Sequence, residues 1–401
     1  MMMPLKNTVT ILLTGSCLAL MPAIPSQAGS AAGDKTTAND VPDGDQLPSV
    51  YVVPLKGQMG TDIHEDTIDE VIKDIKAQPK RPDIVVLQIN SSDFGRNFHL
   101  PQIDPSEFGM FALEAYRALV RNLHNNLPSD IQQVVWVEDS VGLATLLALS
   151  WCDMYMAPDA RLYGLNNIFD VSQGWGDADV REKMEEAWEG IGRGFLNMGC
   201  LGQYARALGG AMMDPSKMLS ADFKGREVVW RPDTDGEWVI DSDPEGVANF
   251  EATDSEDTLL CNGLAESIDD LLFLMGHREY ELNTSGEELV ETYMERWRKA
   301  YKNCYELLAD MEAGRLRGDT QLELLNAQLN VWGGILSNML RYGAVERRLE
   351  REIGLNIVSI ELRIEQLKDQ IRQIRDSDRG GGRVGGGGGG GISGGGGKGR
   401  P

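Results

Sequence analysis

The sequence predicts a mixed α/β layer domain over residues 49–280, followed by an all-helical segment over residues 285–379. Two observations carry this expectation. Through the first stretch, short runs of β-branched and apolar residues alternate with amphipathic helical stripes, the pattern of a sheet covered by helices. After Thr284-Ser-Gly286 the apolar residues recur at steps of three and four, the spacing of heptad-patterned helices.

The elements follow in order. Val50 to Leu55 is a short β-rich run. Ile68, Val71, Ile72 and Ile75 sit at i, i+3, i+4 and i+7, one apolar face of a helix. Ile84 to Ile89 reads as a buried strand, Phe111 to Leu123 as a helix and Val134 to Val137 as a strand. Val141 to Trp151 reads as a buried helix and Met154 to Met156 as a further strand. Val180, Met184, Ala187, Trp188, Ile191 and Phe195 mark a longer amphipathic helix. Glu227 to Arg231 and Glu237 to Ile240 are expected to pair as a hairpin around the turn residues 232–236.

In the helical segment, Val290 to Met311, Leu322 to Met339 and Ile353 to Ile374 each repeat the heptad spacing, with Gly314, Gly318 and Gly343 at the breaks. An antiparallel three-helix bundle, or a hairpin with a protruding coil, satisfies that pattern. Isoleucine at both core positions of the last helix favours pairing with further copies, so a homo-oligomer is expected.

The ends read differently. Lys6, the apolar run Val9 to Met21 and the small residues before position 29 form a secretory signal peptide over residues 1–28, predicting export to a periplasmic or extracellular space. The run is short for a membrane span, and no later segment is apolar enough for one, so the mature chain is expected to have no transmembrane segment. Thr14-Gly15-Ser16 before Cys17 lacks the residue pattern of lipoprotein processing. Residues 29–48 read as a disordered leader and residues 380–401 as a Gly-rich disordered tail. Cys152, Cys200, Cys261 and Cys304 have spacings that fit neither a CxxC site nor a disulfide scaffold, and are expected to be buried free thiols.

Composition narrows the function. Sixty-two acidic against 38 basic residues give a net charge of −24 over 401 residues. Such a surface repels nucleic-acid backbones and anionic membranes, which leaves peptides or proteins as the expected partners and excludes nucleic acid. A chain of this length buries a sufficient core without metal or cofactor, so none is expected.

Three stretches carry a resemblance to a known family. They are Val50-Tyr-Val-Val-Pro-Leu-Lys-Gly57; Val134-Val-Trp-Val-Glu-Asp-Ser-Val-Gly-Leu-Ala-Thr-Leu-Leu-Ala-Leu with Met154-Tyr-Met-Ala-Pro158 and Gly164; and Phe250 to Ala265 with Ser267 to Gly276. In this order they resemble the ClpP/crotonase-fold serine peptidases, specifically the signal peptide peptidase and NfeD-type membrane-associated proteases. The resemblance spans about 230 residues. It implies an α/β, ClpP/crotonase-like fold of repeated strand-strand-helix units, here followed by a C-terminal helical coiled-coil or bundle domain instead of the family's transmembrane segments and β-barrel.

The family cuts peptide bonds with a Ser–Lys dyad, in which a neutral lysine takes the serine proton and backbone N–H groups hold the oxyanion. The resemblance places its serine on Gly142, which has no hydroxyl. Ser140, two residues upstream, is either a shifted nucleophile or the N-cap of the following helix. The lysine falls on Lys183, among Asp177, Asp179, Glu182, Glu185 and Glu186, whose charges favour a protonated surface lysine over a general base. Backbone at Gly95 and Gly142 would form the oxyanion site, but Asn90-Ser-Ser-Asp-Phe-Gly95 retains one glycine of the family turn and brings in Asp93.

Together these departures predict a degenerate site that binds peptides or partner proteins, a pseudoenzyme. The alternatives are an active endopeptidase using Ser140 and Lys183, and a coiled-coil assembly scaffold with an idle cleft. His64, His99, His124 and His277 make no metal-binding pair and read as solvated or capping residues. Glu138-Asp139 is similar to the paired acids of crotonase hydratases, but an exported protein would not meet coenzyme A thioesters. The glycines between 190 and 210 match no phosphate-binding motif.

Overall fold

In the computed structural model, residues 47–91, 110–163, 165, 177–225 and 227–381 are described. The strands β1 (Ser49–Lys56), β2 (Ile84–Ser91) and β3 (Gln132–Val141) lie side by side and parallel, with Val52 opposite Val86 and Val86 opposite Val134. Beyond β3 come β4 (Met154–Met156) and β5 (Arg161–Tyr163), both parallel to it. The near-continuous apolar runs Val50–Val53 and Ile84–Leu87 are what strands buried on both faces require.

Helices close the parallel connections. Between β1 and β2 lies α1 (Glu65–Ala77), whose stripe Ile68, Val71, Ile72 and Ile75 is buried as the spacing predicts. Between β2 and β3 is α2 (Met110–Asn126), and α3 (Leu143–Ala148) follows β3. The next long helix, α4 (Ala178–Leu196), buries Trp188, Ile191 and Phe195. These helices cover the sheet face formed by Tyr51, Val53, Val85, Leu87, Val135 and Val137. The alternate residues Val50, Val52, Ile84, Val86, Val134 and Trp136 face the other way, onto Leu271 and Leu272.

After α5 (Leu208–Met213) the chain builds a second sheet. Its central strand is β6 (Leu219–Lys224), antiparallel to β7 (Glu227–Arg231) on one side and β8 (Trp238–Asp241) on the other. The hairpin expected between residues 227–231 and 237–240 is therefore corrected: both strands pair with β6 instead of with each other. The loop between them lies against β6, where Gly236 donates its N–H to Ser220 Oγ at 3.0 Å and Arg231 is held by Asp222 and Asp233. A Cβ on Gly236 would meet the Ala221 carbonyl oxygen at 2.8 Å, so the glycine permits this path.

The chain then returns to the main sheet through β9 (Phe250–Glu251), antiparallel to β5, followed by α6 (Ala252–Asp257) and α7 (Ile268–Leu274). Finally β10 (Glu281–Asn283) pairs in parallel with β1, giving the order β10-β1-β2-β3-β5-β9, with β4 also on β3.

The helical segment comprises α8 (Ser285–Glu312), α9 (Gln321–Arg341), α10 (Gly343–Ile353) and α11 (Ile357–Gly381). Both expected breaks are present: α8 ends just before Gly314 at φ 63° and α9 opens on a Thr320–Glu323 capping box, while α9 gives way to α10 at Tyr342 and Gly343. The third expected helix is divided in two, because Gly354 adopts the left-handed conformation that terminates α10. The apolar stripe of the last helix is occupied within the chain, with Leu367 and Ile371 packing beside Leu325, Leu329 and Trp332 of α9.

No break separates sheet and helices: the described residues from Leu47 onward form one compact unit. Val290 of α8 enters the main core, and a Cβ on Gly286 would collide with the Val52 carbonyl oxygen. Polar contacts tie the same seam. Tyr293 donates to Asp66 at 3.0 Å, Arg298 pairs with Asp62 at 3.0 Å, Arg348 donates to Gln58 at 2.9 Å and Ser285 donates to Asp74 at 2.9 Å.

The cysteine expectation is half corrected. Cys152 and Cys200 form a disulfide, while Cys261 and Cys304 are buried free thiols. The bond clamps the end of α4 to the turn before β4, where Gly199 leaves no room for a Cβ beside the Leu149 carbonyl oxygen at 2.9 Å. Among the described residues, no helix is long and apolar enough to cross a membrane. The signal peptide, the leader up to residue 46 and the tail from residue 382 lie outside the described residues.

Candidate functional site

Ligands of open parallel sheets bind beyond the carboxyl ends of the strands, and here β1, β2 and β3 end together. Lys56 closes β1 opposite Asn90 of β2. Between β2 and β3 the register slips: Ile89 faces Val137, but Asn90 faces Asp139, so Glu138 is an extra, bulged residue. Bulges re-aim side chains at strand ends. Gln88 donates to Glu138 Oε1 at 2.6 Å, Asn90 donates to Oε2 at 2.9 Å, and Lys56 Nζ stands 3.9 Å away.

The neighbouring carboxylate is committed elsewhere. Asp139 accepts two bonds from Arg161, at 3.2 Å from Nε and 2.5 Å from Nη2, and one from its neighbour's backbone N–H at Ser140. The Asp139 hydrogen bonds hold the guanidinium of Arg161 more firmly protonated than usual.

Ser140 is fully buried in β3, paired with Ser91 on one side and Leu162 on the other. Its Oγ lies 3.4 Å from Thr145 Oγ1, which in turn reaches the carbonyl oxygens of Ser140 and Tyr163 at 3.2 and 3.1 Å. It does not cap the helix. The strand runs on to Val141, and the N-cap position falls to Gly142, which offers no side-chain bond.

Gly142 stands at the sharp turn from β3 into α3 with φ 75° and ψ −136°. Its N–H donates to the Tyr163 carbonyl at 2.8 Å and its own carbonyl accepts from Thr145 N–H at 3.1 Å. Among the described residues, no heavy atom lies within 4 Å of where its Cβ would be. A strand-to-helix turn of this form presents a nucleophile when its residue has one. Here the position is open and carries no side chain.

Lys183 is on an exposed face of α4, which is N-capped by Asp177 accepting from Val180 N–H at 3.0 Å. Neither hydrogen bond nor ion pair joins it to Ser140, whose hydroxyl is engaged by Thr145. The structure therefore brings Ser140 and Gly142 to one turn, and among the described residues no hydrogen bond or ion pair links Lys183 to them. Gly95 lies outside the described residues, as do Asp93 and His99.

Two of the other histidines have structural places. His64 caps α1 by accepting from Asp66 N–H at 3.2 Å, and His124 stacks on Trp151 with ring centroids 4.5 Å apart. Among the described residues, no three His, Cys, Asp or Glu side chains are grouped to hold a metal ion.

Sequence reasoning noted Glu138 but missed its company. The signal was present: Gln88 and Asn90 interrupt an apolar strand two residues apart, and Glu138 follows Trp136 by two, so period-two alternation puts all three on one face. Lys56 extends the same face from β1. Comparison of the chain with protein-family models, curated proteins and solved structures gave no match.

Proposed function

We propose that the chain is an exported, ClpP/crotonase-like protein whose peptidase site is degenerate, and that it binds peptides or partner proteins at the carboxyl ends of β1, β2 and β3. The observation that carries this reading is Gly142, a strand-to-helix turn with space for a nucleophile and no atom to act as one. Acyl transfer needs a nucleophile and its base within hydrogen-bond reach. Ser140 Oγ is buried against Thr145 and Lys183 is exposed on α4, which supports loss of that chemistry.

The Cys152–Cys200 disulfide supports export, since such bonds persist in oxidising compartments. Association with further copies is part of the proposal. Val358 and Leu362, one turn apart on the outer face of α11, are 73% and 61% exposed and offer an apolar contact.

The test incubates the chain from residue 29 onward, as wild type, Ser140→Ala and Gly142→Ser, with an unstructured peptide library, and reads cleavage by mass spectrometry. No cleavage by wild type is expected, with retention of library peptides on the immobilised protein. Cleavage by wild type that vanishes in Ser140→Ala would overturn the degenerate reading in favour of a Ser–Lys endopeptidase with a shifted nucleophile. Absence of any retained peptide would leave a scaffold with an idle cleft.

A further inference from the structure

The cluster around Glu138 has one acceptor more than its donors satisfy. The Gln88 carboxamide must turn its N–H group towards the Glu138 carboxylate, which fixes the identity of the remaining atom as oxygen. That oxygen is buried, in a side chain only 5% exposed, and among the described residues it has no hydrogen-bond donor. Buried polar atoms are almost always paired, so an orphan beside a bulged carboxylate points to a missing donor.

Among the described residues, the cation paired with Glu138 does not close the cluster. Lys56 Nζ is 3.9 Å from Glu138 Oε2, at the limit of an ion pair, and its side chain is 44% exposed against 24% for Glu138. By contrast the Glu138 carboxylate is held rigidly, with one carboxamide on each oxygen. A fixed, partly accessible carboxylate with a loosely associated lysine is a seat that another cation can take by displacing the lysine. The chain's net charge of −24 attracts basic ligands towards it.

We propose that Glu138, with Gln88 Oε1 beside it, receives the charged end of a lysine or arginine side chain from a bound peptide, displacing Lys56. This rests on the peptide-binding reading above and adds to it the class of peptide selected. The incoming ammonium or guanidinium donates to the free lone pairs of Glu138 and supplies the donor that Gln88 Oε1 lacks. Lys56, released, turns to solvent.

Two measurements on the full chain test it. In the first, fluorescence anisotropy compares a labelled unstructured peptide carrying a central lysine or arginine with its norleucine or citrulline counterpart. The basic peptides are expected to bind about tenfold more tightly, the preference to vanish in Glu138→Gln, and Lys56→Met to bind basic peptides more tightly than wild type. Equal affinity for charged and neutral peptides overturns the selectivity while leaving peptide binding intact.

In the second, n-butylammonium chloride is titrated in place of any peptide, and the side-chain amide signals of Gln88 and Asn90 are followed by NMR. A shift of the Gln88 signal that n-butanol does not reproduce, and that Glu138→Gln abolishes, is expected. No shift overturns the cation seat independently of whether peptides bind. Glu138→Gln keeps the shape of the side chain, and Lys56→Met, which predicts a gain, keeps the test decisive if the former is poorly folded.

Discussion

The hydroxyls of Ser140 and Thr145 lie 3.4 Å apart and both residues are fully buried, so Ser140 ties β3 to α3. Thr145 reaches two carbonyl oxygens as well, and it is the better connected partner. Ser140→Ala is expected to lower stability by about 1 kcal/mol, and Thr145→Val by more, since it removes the hydroxyl that reaches both carbonyl oxygens and Ser140 Oγ. Urea unfolding of both variants and of the double variant checks this; strictly additive losses would contradict a shared bond.

Gly142 predicts a different balance. Any side chain there meets open space but must hold φ at 75°, so Gly142→Ala is expected to cost about 1–3 kcal/mol through the backbone alone. Gly286→Ala carries no such conformational term, yet should be worse, because its Cβ meets the Val52 carbonyl oxygen and the Tyr51 ring. Thermal unfolding of the pair ranks them, and the reverse order would show that α8 can lift from β1 at little cost.

At the seam between α1 and the helical segment, Asp66 is held down to about 2 from the ordinary 3.8, first by the His64 ring 3.2 Å from its carboxylate, and also by Tyr293 and Gly343. A carboxyl depressed in the folded state stabilises above its unfolded value and loses that contribution as pH falls through the folded one. Stability is therefore expected to decline between about pH 4 and pH 2, and less so in Asp66→Asn. Denaturant midpoints measured across that window decide; parallel profiles for the two proteins would remove Asp66 from the account.

The disulfide and the free thiols should separate cleanly. Burial pushes the Cys261 thiol up to about 11 and raises that of Cys304, so neither should react in the native protein. Cys152 and Cys200 are exposed and close a loop of 48 residues, so a mild dithiol should release two titratable thiols without unfolding. Cys152→Ser is expected to cost about 2–4 kcal/mol. Four reactive thiols in folded, reduced protein would contradict the burial of Cys261 and Cys304.

Much of the fold was legible because its signals are local and periodic. The α1 stripe and the runs Val50–Leu55 and Ile84–Ile89 appear where hydrophobic spacing places them. The missed features have no such signal. β6 mixes apolar, small and charged residues, and β10 is three residues long with an exposed acid at its start. The break at Gly354 was hidden because Ile353, Ile357 and Ile360 keep heptad spacing across it, although Ile353 is 49% exposed and Ile360 is buried. The pairing of Cys152 with Cys200 and the bulge at Glu138 depend on contacts between distant segments, which spacing along one strand does not encode. At the site, alternation along each strand put Gln88, Asn90 and Glu138 on one face, while their meeting at one carboxylate required the register of β2 against β3.

The parallel pairing of β10 with β1, followed at once by Gly286 resting on that same strand, bears on how such a protein can be cut and inherited. The segment after residue 280 supplies a sheet strand, a floor for Tyr51 and partners for Asp62, Asp66 and Asp74. The helices are accordingly not a cassette that could be exchanged between genes or trimmed away. A lineage that lost the whole segment after residue 280 would expose the backbone edge of Ser49–Tyr51, an open template for aggregation. The two halves of this chain therefore persist, or fail, together.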